Sequence, residues 1–231
     1  MTIVRHDNVV QGSIEWHEMR RGLLTASEMK LIITPTLKVA ANDKERAHLY
    51  HLMSQRIAGY VEDTFEGYAM LRGREDEVDA KIAYSNKYEP VEDVGFITND
   101  KWGFKIGYSP DGRVGDVGGI EAKSRNHKLQ IETILEHAMA QTVPADFVIQ
   151  CQTGLLVSEW EWLDFISYSA GLPMITIRTY PDPVIQAAIV AAATAFEERI
   201  AKRMDEFTNI ITSGEVRLLA TERRIEREMK F

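Results

Sequence analysis

Two carboxylates and a lysine, Asp111, Glu121 and Lys123, lie toward the two ends of one Gly-rich stretch, SPDGRVGDVGGIEAK at residues 109–123. If this stretch is a hairpin with its turn centred on Asp116, antiparallel pairing places Asp111 opposite Glu121, with Cβ atoms about 5 Å apart. Side chains two apart on a strand share a face, so Glu121 and Lys123 point in the same direction. Like charges opposite each other destabilise a sheet, and the pairing therefore requires a compensating cation or a functional reason.

This arrangement favours a site for a hard divalent cation. Carboxylate oxygens are suitable ligands for Mg²⁺ or Mn²⁺, and such an ion activates water and stabilises negative charge on a phosphate. Lys123 would orient or deprotonate that water and add positive charge at the transition state. The residue types and their spacing are therefore typical of a metal-dependent nuclease.

Two non-catalytic interpretations of the hairpin stay open. In the first, Asp111 and Gly112 only form a turn, and the charges are solvated. In the second, a calcium ion stiffens the hairpin through Asp111 and Asp116, although the intermediate oxygen ligands of the twelve-residue calcium loop are missing.

Composition limits the class of protein. The chain has 231 residues, of which 45% are hydrophobic, and we expect one compact domain spanning 1–231. Its net charge of −8 argues against a general surface for polyanions but leaves room for one local basic site. The candidate positive charges near the hairpin and the N-terminus are Lys123, Arg125, Lys128, Arg20 and Arg21.

The lone cysteine, Cys151, excludes an internal disulfide, a Cys-rich zinc site and an iron–sulfur cluster. The N-terminus has neither the basic start nor the long apolar run of a signal peptide, and no stretch approaches membrane-spanning length. We therefore expect a cytoplasmic protein with no membrane partner.

Helices and strands that could position the hairpin follow from hydrophobic periodicity and caps. Ser13 and Gly22 bound a short helix, and the capping box at 25–28 predicts a second helix that ends before Pro35. Further helices are predicted at 43–60, 74–86, 144–157 and 182–211, with β segments at 94–123, 159–169 and 174–180. This order predicts an α/β domain with a mixed sheet.

The SPDG and EAK segments resemble the PD-(D/E)xK nuclease motif, and more narrowly the phage lambda exonuclease family of viral recombination nucleases. WHEMRRGLLTASE at 16–28 is similar to that family's N-terminal signature, GREDEVDA at 73–80 to its central helix motif, and QCQ at 150–152 to its Gln-x-Gln motif. Before the central glycine the family often has an aromatic residue, whereas this chain has Arg72. The resemblance implies a restriction-endonuclease-like core, with a central mixed β-sheet flanked by helices.

The resemblance also implies roles for individual residues. The catalytic and metal-binding group would comprise Asp111, Glu121, the Ala122 backbone carbonyl, Lys123 and, through water, Glu77. The group that binds the terminal 5′-phosphate would comprise Arg20, Ser27, Ser109 and Gln150. The implied cofactor is Mg²⁺, as two ions, with Mn²⁺ as a substitute.

As a function, the resemblance implies processive 5′→3′ digestion of linear double-stranded DNA to mononucleotides. The enzyme would start from ends with a 5′-phosphate and leave a 3′ single strand for single-strand-annealing recombination. It would form a ring-shaped homotrimer, hand its product to a single-strand DNA annealing protein and originate from a phage or prophage in a bacterial host. The alternatives are a structure-specific or restriction-type endonuclease, and a DNA-end or calcium-binding module without turnover.

Several of these residues have simpler interpretations. Arg20, Arg21 and Glu28 could form a surface salt-bridge cluster, and Ser27, in the first turn of the predicted helix, could be an ordinary cap residue. Gln150 could make a helix-to-loop hydrogen bond.

In the central helix, Glu77 could be solvated surface, with Val78 directed toward the core. The apolar run at 68–71 could be a wedge that splits the terminal base pair, or simple core packing. Trp160 and Trp162 are expected in the core or at a subunit contact.

Overall fold

A computed structural model of the chain describes residues 2–62 and 67–223. Within these ranges, helices and strands alternate in a mixed α/β order. The elements are β1 (Ile3–His6), α1 (Ile14–Arg20), β2 (Leu24–Thr25), a 3₁₀ turn (Met29–Leu31), α2 (Asp43–Ala58), α3 (Tyr68–Lys87), β3 (Phe96–Asn99), β4 (Ile106–Tyr108), β5 (Gly112–Val114), β6 (Gly118–Ser124), α4 (His127–His137), α5 (Ala145–Ser158), β7 (Trp162–Tyr168), β8 (Ile175–Thr179) and α6 (Pro183–Thr212). No helix in these two ranges is long and apolar enough to cross a membrane.

The sheet that carries the hairpin has the strand order β5-β6-β7-β8. Strands β5 and β6 are antiparallel, β6 and β7 are parallel from Gly118↔Trp162 to Ser124↔Tyr168, and β7 and β8 are antiparallel. The predicted mixed sheet is therefore confirmed.

Side-chain alternation divides this sheet into two faces. On one face, Ile120 and Ile166 pack with Ala80 and Tyr84 of α3. On the other, Phe165 and its neighbours join a larger core with buried side chains of α5 and α6. The charged residues of the hairpin, Glu121 and Lys123, have odd numbers on β6 and therefore lie on the α5 face.

A second sheet, with the strand order β1-β3-β4-β2, supports the N-terminal side of the hairpin. Its short parallel pair joins Leu24 to Ile106 and Thr25 to Gly107. Strand β4 then ends at Tyr108, immediately before the first residue of the SPDG segment. The second sheet thus holds the strands before and after α1, which are β1 and β2, close to the start of the hairpin.

The two glycines that begin β6 make room for tryptophan rings. A Cβ atom on Gly118 would lie 2.2 Å from the Trp162 ring, and one on Gly119 would lie 2.1 Å from the Trp160 ring. Side chains cannot occupy such short distances, so glycine at positions 118 and 119 is a packing requirement. Trp160 is buried, as predicted.

The prediction of a helix after the TASE capping box is wrong. Thr25 lies in β2, and the Ala26 N–H donates to the Gly107 carbonyl of β4, so the sheet uses the backbone groups that a helix would need. The Thr25 hydroxyl donates to the Glu28 carboxylate at 2.7 Å, and only the 3₁₀ turn follows. The expectation that Ser27 lies in the first turn of a helix is therefore also wrong.

The predicted inner face of α3 is wrong as well. Val78 and Ile82 are each 56% exposed, whereas Ala80 and Tyr84 are fully buried and Asp76 is 8% exposed. The helix packs closely on the sheet through the small Ala80, and the Tyr84 hydroxyl donates to Asp164 at 2.6 Å. The Tyr84 hydroxyl can be buried against the sheet because Asp164 accepts its hydrogen bond, which a hydrophobic pattern does not predict.

Most other predicted helices and strands are confirmed, including α1 with its Ser13 cap, α2, α5, β7, β8 and α6. Strand β1 and helix α4 were not predicted. The signal for α4 was present in Asn126, whose side chain accepts from the Leu129 N–H as an N-cap.

Candidate active site

The hairpin pairs in the predicted register. Gly112 faces Ile120 and Val114 faces Gly118, so the same register extended by one residue places Asp111 opposite Glu121. The Ala122 N–H donates to Asp111 Oδ2 at 2.6 Å. Asp111 is therefore fixed against the backbone of β6, next to Glu121.

Glu121 is held by three donors from three different elements. Its Oε1 accepts from Lys123 Nζ at 2.5 Å and from the Gln150 amide of α5, and its Oε2 accepts from the Tyr108 hydroxyl at 3.0 Å. The residue is 1% exposed. Its carboxylate is thus buried and restricted to one orientation.

The charges of this cluster do not balance. Burial raises the pKa of the Asp111 carboxyl well above its ordinary value, and the Glu121 charge raises it further, while Lys123 opposes both effects. Burial lowers the pKa of Lys123, but Glu121 and Asp111 together raise it above its ordinary value. The two acids therefore lie in a site with insufficient positive charge.

Such a donor set fits a hard divalent cation. Asp111 and Glu121 lie opposite each other across the hairpin, and an added cation would offset the burial and the Glu121 charge that raise the pKa of Asp111. In the part of the chain that the structure describes, no three His, Cys, Asp or Glu side chains converge as a metal-binding group. The set therefore consists of two carboxylates, with backbone or water oxygens for the remaining positions.

Glu77 approaches this cluster from α3. Its charge contributes to the raised pKa of Asp111, while its carboxylate pairs with Lys81 at 3.0 Å. Lys81 also lies 3.4 Å from Asp93. Glu77 is thus near the carboxylate pair, and its partner Lys81 also interacts electrostatically with Asp111, whose charge helps to raise the pKa of Lys81.

A second cluster lies on the N-terminal side of Asp111. The Ser109 hydroxyl accepts from Arg20 Nη1 at 2.9 Å and from Trp16 Nε1 at 3.0 Å, and the Arg20 guanidinium lies 4.3 Å from the centroid of the Trp16 ring. Burial lowers the pKa of Arg20, and the raising effect of Glu28 does not compensate. Arg20 is thus a partly buried cation held by neutral groups, which suits an anionic ligand.

The alternative of a surface salt-bridge cluster around Arg20 is wrong. Arg21 pairs with Glu18, Arg20 contacts Ser109, and Glu28 accepts from Thr25. Ser27 lies beside Thr25, with the two hydroxyl oxygens 3.3 Å apart.

Of the residues expected to bind the 5′-phosphate, the structure joins Arg20 and Ser109 directly and places Gln150 on Glu121. The two clusters are connected through Pro110, whose carbonyl accepts from the Gln11 side chain at 2.7 Å. Gln11 and Tyr108 were missed from the sequence. Tyr108 directly precedes the SPDG segment, and a buried tyrosine hydroxyl requires a partner, which was a usable signal.

A cleft of about 540 Å³ opens between α3 and the loop before α1. Its lining includes Trp16, Met70, Arg74 and Glu77. At the start of α3, Tyr68 is 82% exposed and Met70 is 51% exposed, so the interpretation of 68–71 as core packing is wrong. Met70, an exposed apolar side chain, thus lines the same cleft as Glu77 and Trp16.

Comparison with known proteins identifies the family and the fold. Residues 15–161 match the model of the YqaJ-like viral recombinase domain. The alkaline exonuclease LHK-Exo from Laribacter hongkongensis is 28% identical, with a TM-score of 0.76, over 87% of this chain and 99% of that one. Its complex with dAMP gives 29% identity and a TM-score of 0.74, over 88% and 100% of the two chains.

A phage-related exonuclease from Haemophilus somnus 129PT shares the fold, with 17% identity and a TM-score of 0.55, over 79% of this chain and 96% of that one. No curated protein matches the chain. The predicted restriction-endonuclease-like architecture, a mixed sheet flanked by helices, is confirmed by the LHK-Exo match.

Proposed function

The chain belongs to the YqaJ-like viral recombinase family, within the phage lambda exonuclease group, and from this we propose that it is an Mg²⁺-dependent 5′→3′ exonuclease of linear double-stranded DNA. Family membership and the likeness to an alkaline exonuclease make it a DNA exonuclease. The metal, the polarity and processive digestion to mononucleotides are our proposal. The remaining 3′ single strand would serve single-strand-annealing recombination.

The observation that carries the proposal is the pair of carboxylates, Asp111 and Glu121, with Lys123 on the second of them. A divalent ion held by this pair and the Ala122 carbonyl would supply Lewis-acid stabilisation of the phosphate and lower the pKa of water. Lys123 would orient the attacking water and place positive charge beside the phosphate. Glu77 would position water at the α3 side of the same centre.

A pocket for the terminal 5′-phosphate is proposed at Arg20, Ser109 and Ser27. Arg20 would donate charge-assisted hydrogen bonds, which are roughly twice as strong as neutral ones. Ser109 lies two residues before Asp111, so a phosphate bound here would place the next phosphodiester near the carboxylates. Because the bound terminal phosphate would place the next phosphodiester at the carboxylates, each cleavage step would release one nucleotide.

Gln150 could contact Glu121 and a phosphate at the same time. A glutamine amide has two N–H donors, and one of them is used on Glu121. The second N–H remains for a phosphate oxygen. We propose that Gln150 connects the orientation of Glu121 to occupancy of the phosphate pocket.

Partners and location belong to the same proposal. We expect a cytoplasmic protein of phage or prophage origin that forms a ring-shaped homotrimer and transfers its 3′ strand to an annealing protein. A locally basic channel within an exterior of net charge −8 would retain DNA in the ring. A monomeric mass by light scattering would contradict the ring.

The first experiment uses linear duplex DNA with a 5′-phosphate and one labelled strand, incubated with Mg²⁺ beside a closed circle of the same sequence. The expected result is release of mononucleotides from the 5′-ended strand and an intact circle. Cutting of the circle would instead indicate the endonuclease alternative. An unchanged linear substrate would contradict the proposed reaction.

A further inference from the structure

A separate basic cavity of about 480 Å³ lies at the carboxyl ends of the parallel strands β6 and β7. Arg125 and Lys128 line it from the segment after β6, Ser169 from the segment after β7, and Arg72 and Asp76 from α3. In open α/β sheets, ligands commonly bind outside the carboxyl ends of parallel strands. The cavity therefore occupies a favourable position for a ligand, outside both clusters of the candidate active site.

The charges that line the cavity favour an anion. Arg72, Arg125 and Lys128 provide three positive charges against one carboxylate, Asp76. Asp76 accepts a hydrogen bond from Ser124 and forms an ion pair with Arg72, whose Nε lies 3.8 Å from it. This pair leaves the positive charges of Arg125 and Lys128 in excess.

Two of these cations have unsatisfied donors. Within the described ranges, the Nε atoms of Arg72 and Arg125 are buried and lack a hydrogen-bond partner. A buried donor without an acceptor costs roughly 1–3 kcal/mol, so such groups normally have a partner. Phosphate oxygens are suitable acceptors, because they match the planar guanidinium.

The cavity continues directly from the catalytic lysine. Arg125 follows Lys123 by two residues, a distance of about 6.6 Å at the usual rise along a strand. The Arg125 guanidinium lies 5.1 Å from the centroid of the Phe147 ring, and Lys123 Nζ lies 6.0 Å from the same centroid. A strand with one phosphate at Lys123 would therefore have another near Arg125.

We propose that this cavity binds a backbone phosphate of the DNA strand, adjacent to the phosphate that is cleaved. The choice of DNA as ligand rests on the proposed function. A released mononucleotide offers the same phosphate chemistry, but the Arg72 side chain is 42% exposed and the cavity is open. An open cavity accommodates a continuing strand, whereas a small product is usually enclosed.

The test measures duplex binding separately from cleavage. Fluorescence anisotropy with a 5′-phosphorylated duplex, in EDTA and between about 50 and 200 mM salt, reports affinity and its salt dependence. For Arg125→Gln and for Lys128→Gln we expect several-fold weaker binding and a log–log salt slope smaller by about 0.9, the value for one phosphate. Lys202→Gln, which removes an exposed charge from α6, should change neither quantity.

Lys128→Gln protects the test from misfolding, because Lys128 is an exposed residue in the first turn of α4. Unchanged affinity and slope in both variants would overturn the proposal. Unchanged duplex binding combined with weaker inhibition of cleavage by dAMP would assign the cavity to the product and overturn the backbone site. If the wild-type protein degrades no DNA but the variants still bind the duplex more weakly, the result would support the phosphate site in the cavity and reject the exonuclease function.

Discussion

The same sheet holds a buried carboxylate on each of its faces, and the two differ in charge balance. On the α3 face, Asp164 accepts from Arg178 Nε and Nη2, each at 2.8 Å, and from the Tyr84 hydroxyl at 2.6 Å. On the α5 face, Glu121 likewise has a cation and a tyrosine hydroxyl, Lys123 and Tyr108.

What separates the two faces is Asp111. The Asp164–Arg178 pair is neutral, and the Trp162 ring, 3.6 Å from the guanidinium carbon, covers it. The Glu121–Lys123 pair has a second carboxylate, Asp111, beside it, and burial together with the Glu121 charge raises the pKa of that carboxyl. A buried ion pair alone is structural, whereas an uncompensated carboxylate next to one indicates a site for a cation.

The largest expected effect is the loss of cleavage when the α5 face is changed. Lys123→Ala should lower the rate by about 10²–10⁴-fold, because both the orientation of water and the positive charge beside the phosphate are lost. Release of labelled nucleotide in Mg²⁺ measures this effect, and circular dichroism checks the fold. Near-normal activity in a folded variant would reject the assignment of Lys123.

On the α3 face, the corresponding change should affect stability and not chemistry. Arg178→Ala leaves Asp164 buried without its cation and should cost about 3 kcal/mol, the lower limit for buried pairs, because Arg178 is 39% exposed. Urea unfolding measures the loss. A loss of cleavage in fully folded Arg178→Ala would contradict the distinction between the two faces.

Arg20→Ala tests whether the pocket beside the α5 face binds the terminal phosphate. A hydrogen bond to a charged group contributes about 1.5–3 kcal/mol, so cleavage of 5′-phosphorylated ends should fall roughly tenfold or more, with a smaller effect on 5′-hydroxyl ends. Initial rates on the two substrates measure the preference. Arg21→Ala, which removes the neighbouring half-buried charge that pairs with Glu18, is the matched control. Equal losses on both ends would count against the pocket.

The two tyrosines provide a matched pair of variants. Tyr84→Phe removes a hydrogen bond from a neutral ion pair and should cost about 1 kcal/mol of stability. Tyr108→Phe removes the same group from Glu121 and should instead raise the Mg²⁺ concentration required for half-maximal activity, because Glu121 loses an orienting contact. Unfolding curves and Mg²⁺ titrations separate the two effects. A shifted Mg²⁺ requirement in Tyr84→Phe would show that the faces are not independent.

The smallest expected effect concerns stability without metal. The pKa of Asp111 is raised in the folded state. Its contribution to the stability of the wild type therefore falls as pH increases above the pKa of an unfolded aspartate, about 3.9. Asp111→Asn should therefore have the higher Tm at neutral pH in EDTA, and the difference should vanish near pH 4. A lower Tm for Asp111→Asn at neutral pH would mean that Asp111 is compensated.

The local geometry of the hairpin could be predicted because it depends on sequence separation alone. Asp111 and Glu121 are equidistant from the turn, and antiparallel pairing requires no information from distant parts of the chain. Capped helices such as α1 and α6 were predictable for the same reason, since Ser13 and Asp182 act on amides two or three residues away.

The errors occurred where a distant element overrides a local signal. The TASE segment contains the side chains of a capping box, but pairing with β4 uses its backbone groups. On α3, apolar spacing favoured Val78, yet the face that fits the sheet is the one with Ala80 and Tyr84. Both outcomes depend on partners more than 70 residues away, which local periodicity does not report.

The amino-acid sequence by itself determined the carboxylate pair, the adjacent lysine and the family that these residues indicate. Only the tertiary structure decided that Tyr108 and Gln150 hold Glu121, that Arg20 contacts Ser109, and that Arg72 and Arg125 line one cavity. The physical reason is range: pairing within a hairpin and capping act over a few residues. The contacts that orient and charge the site join elements from separate parts of the chain, and only packing brings these together.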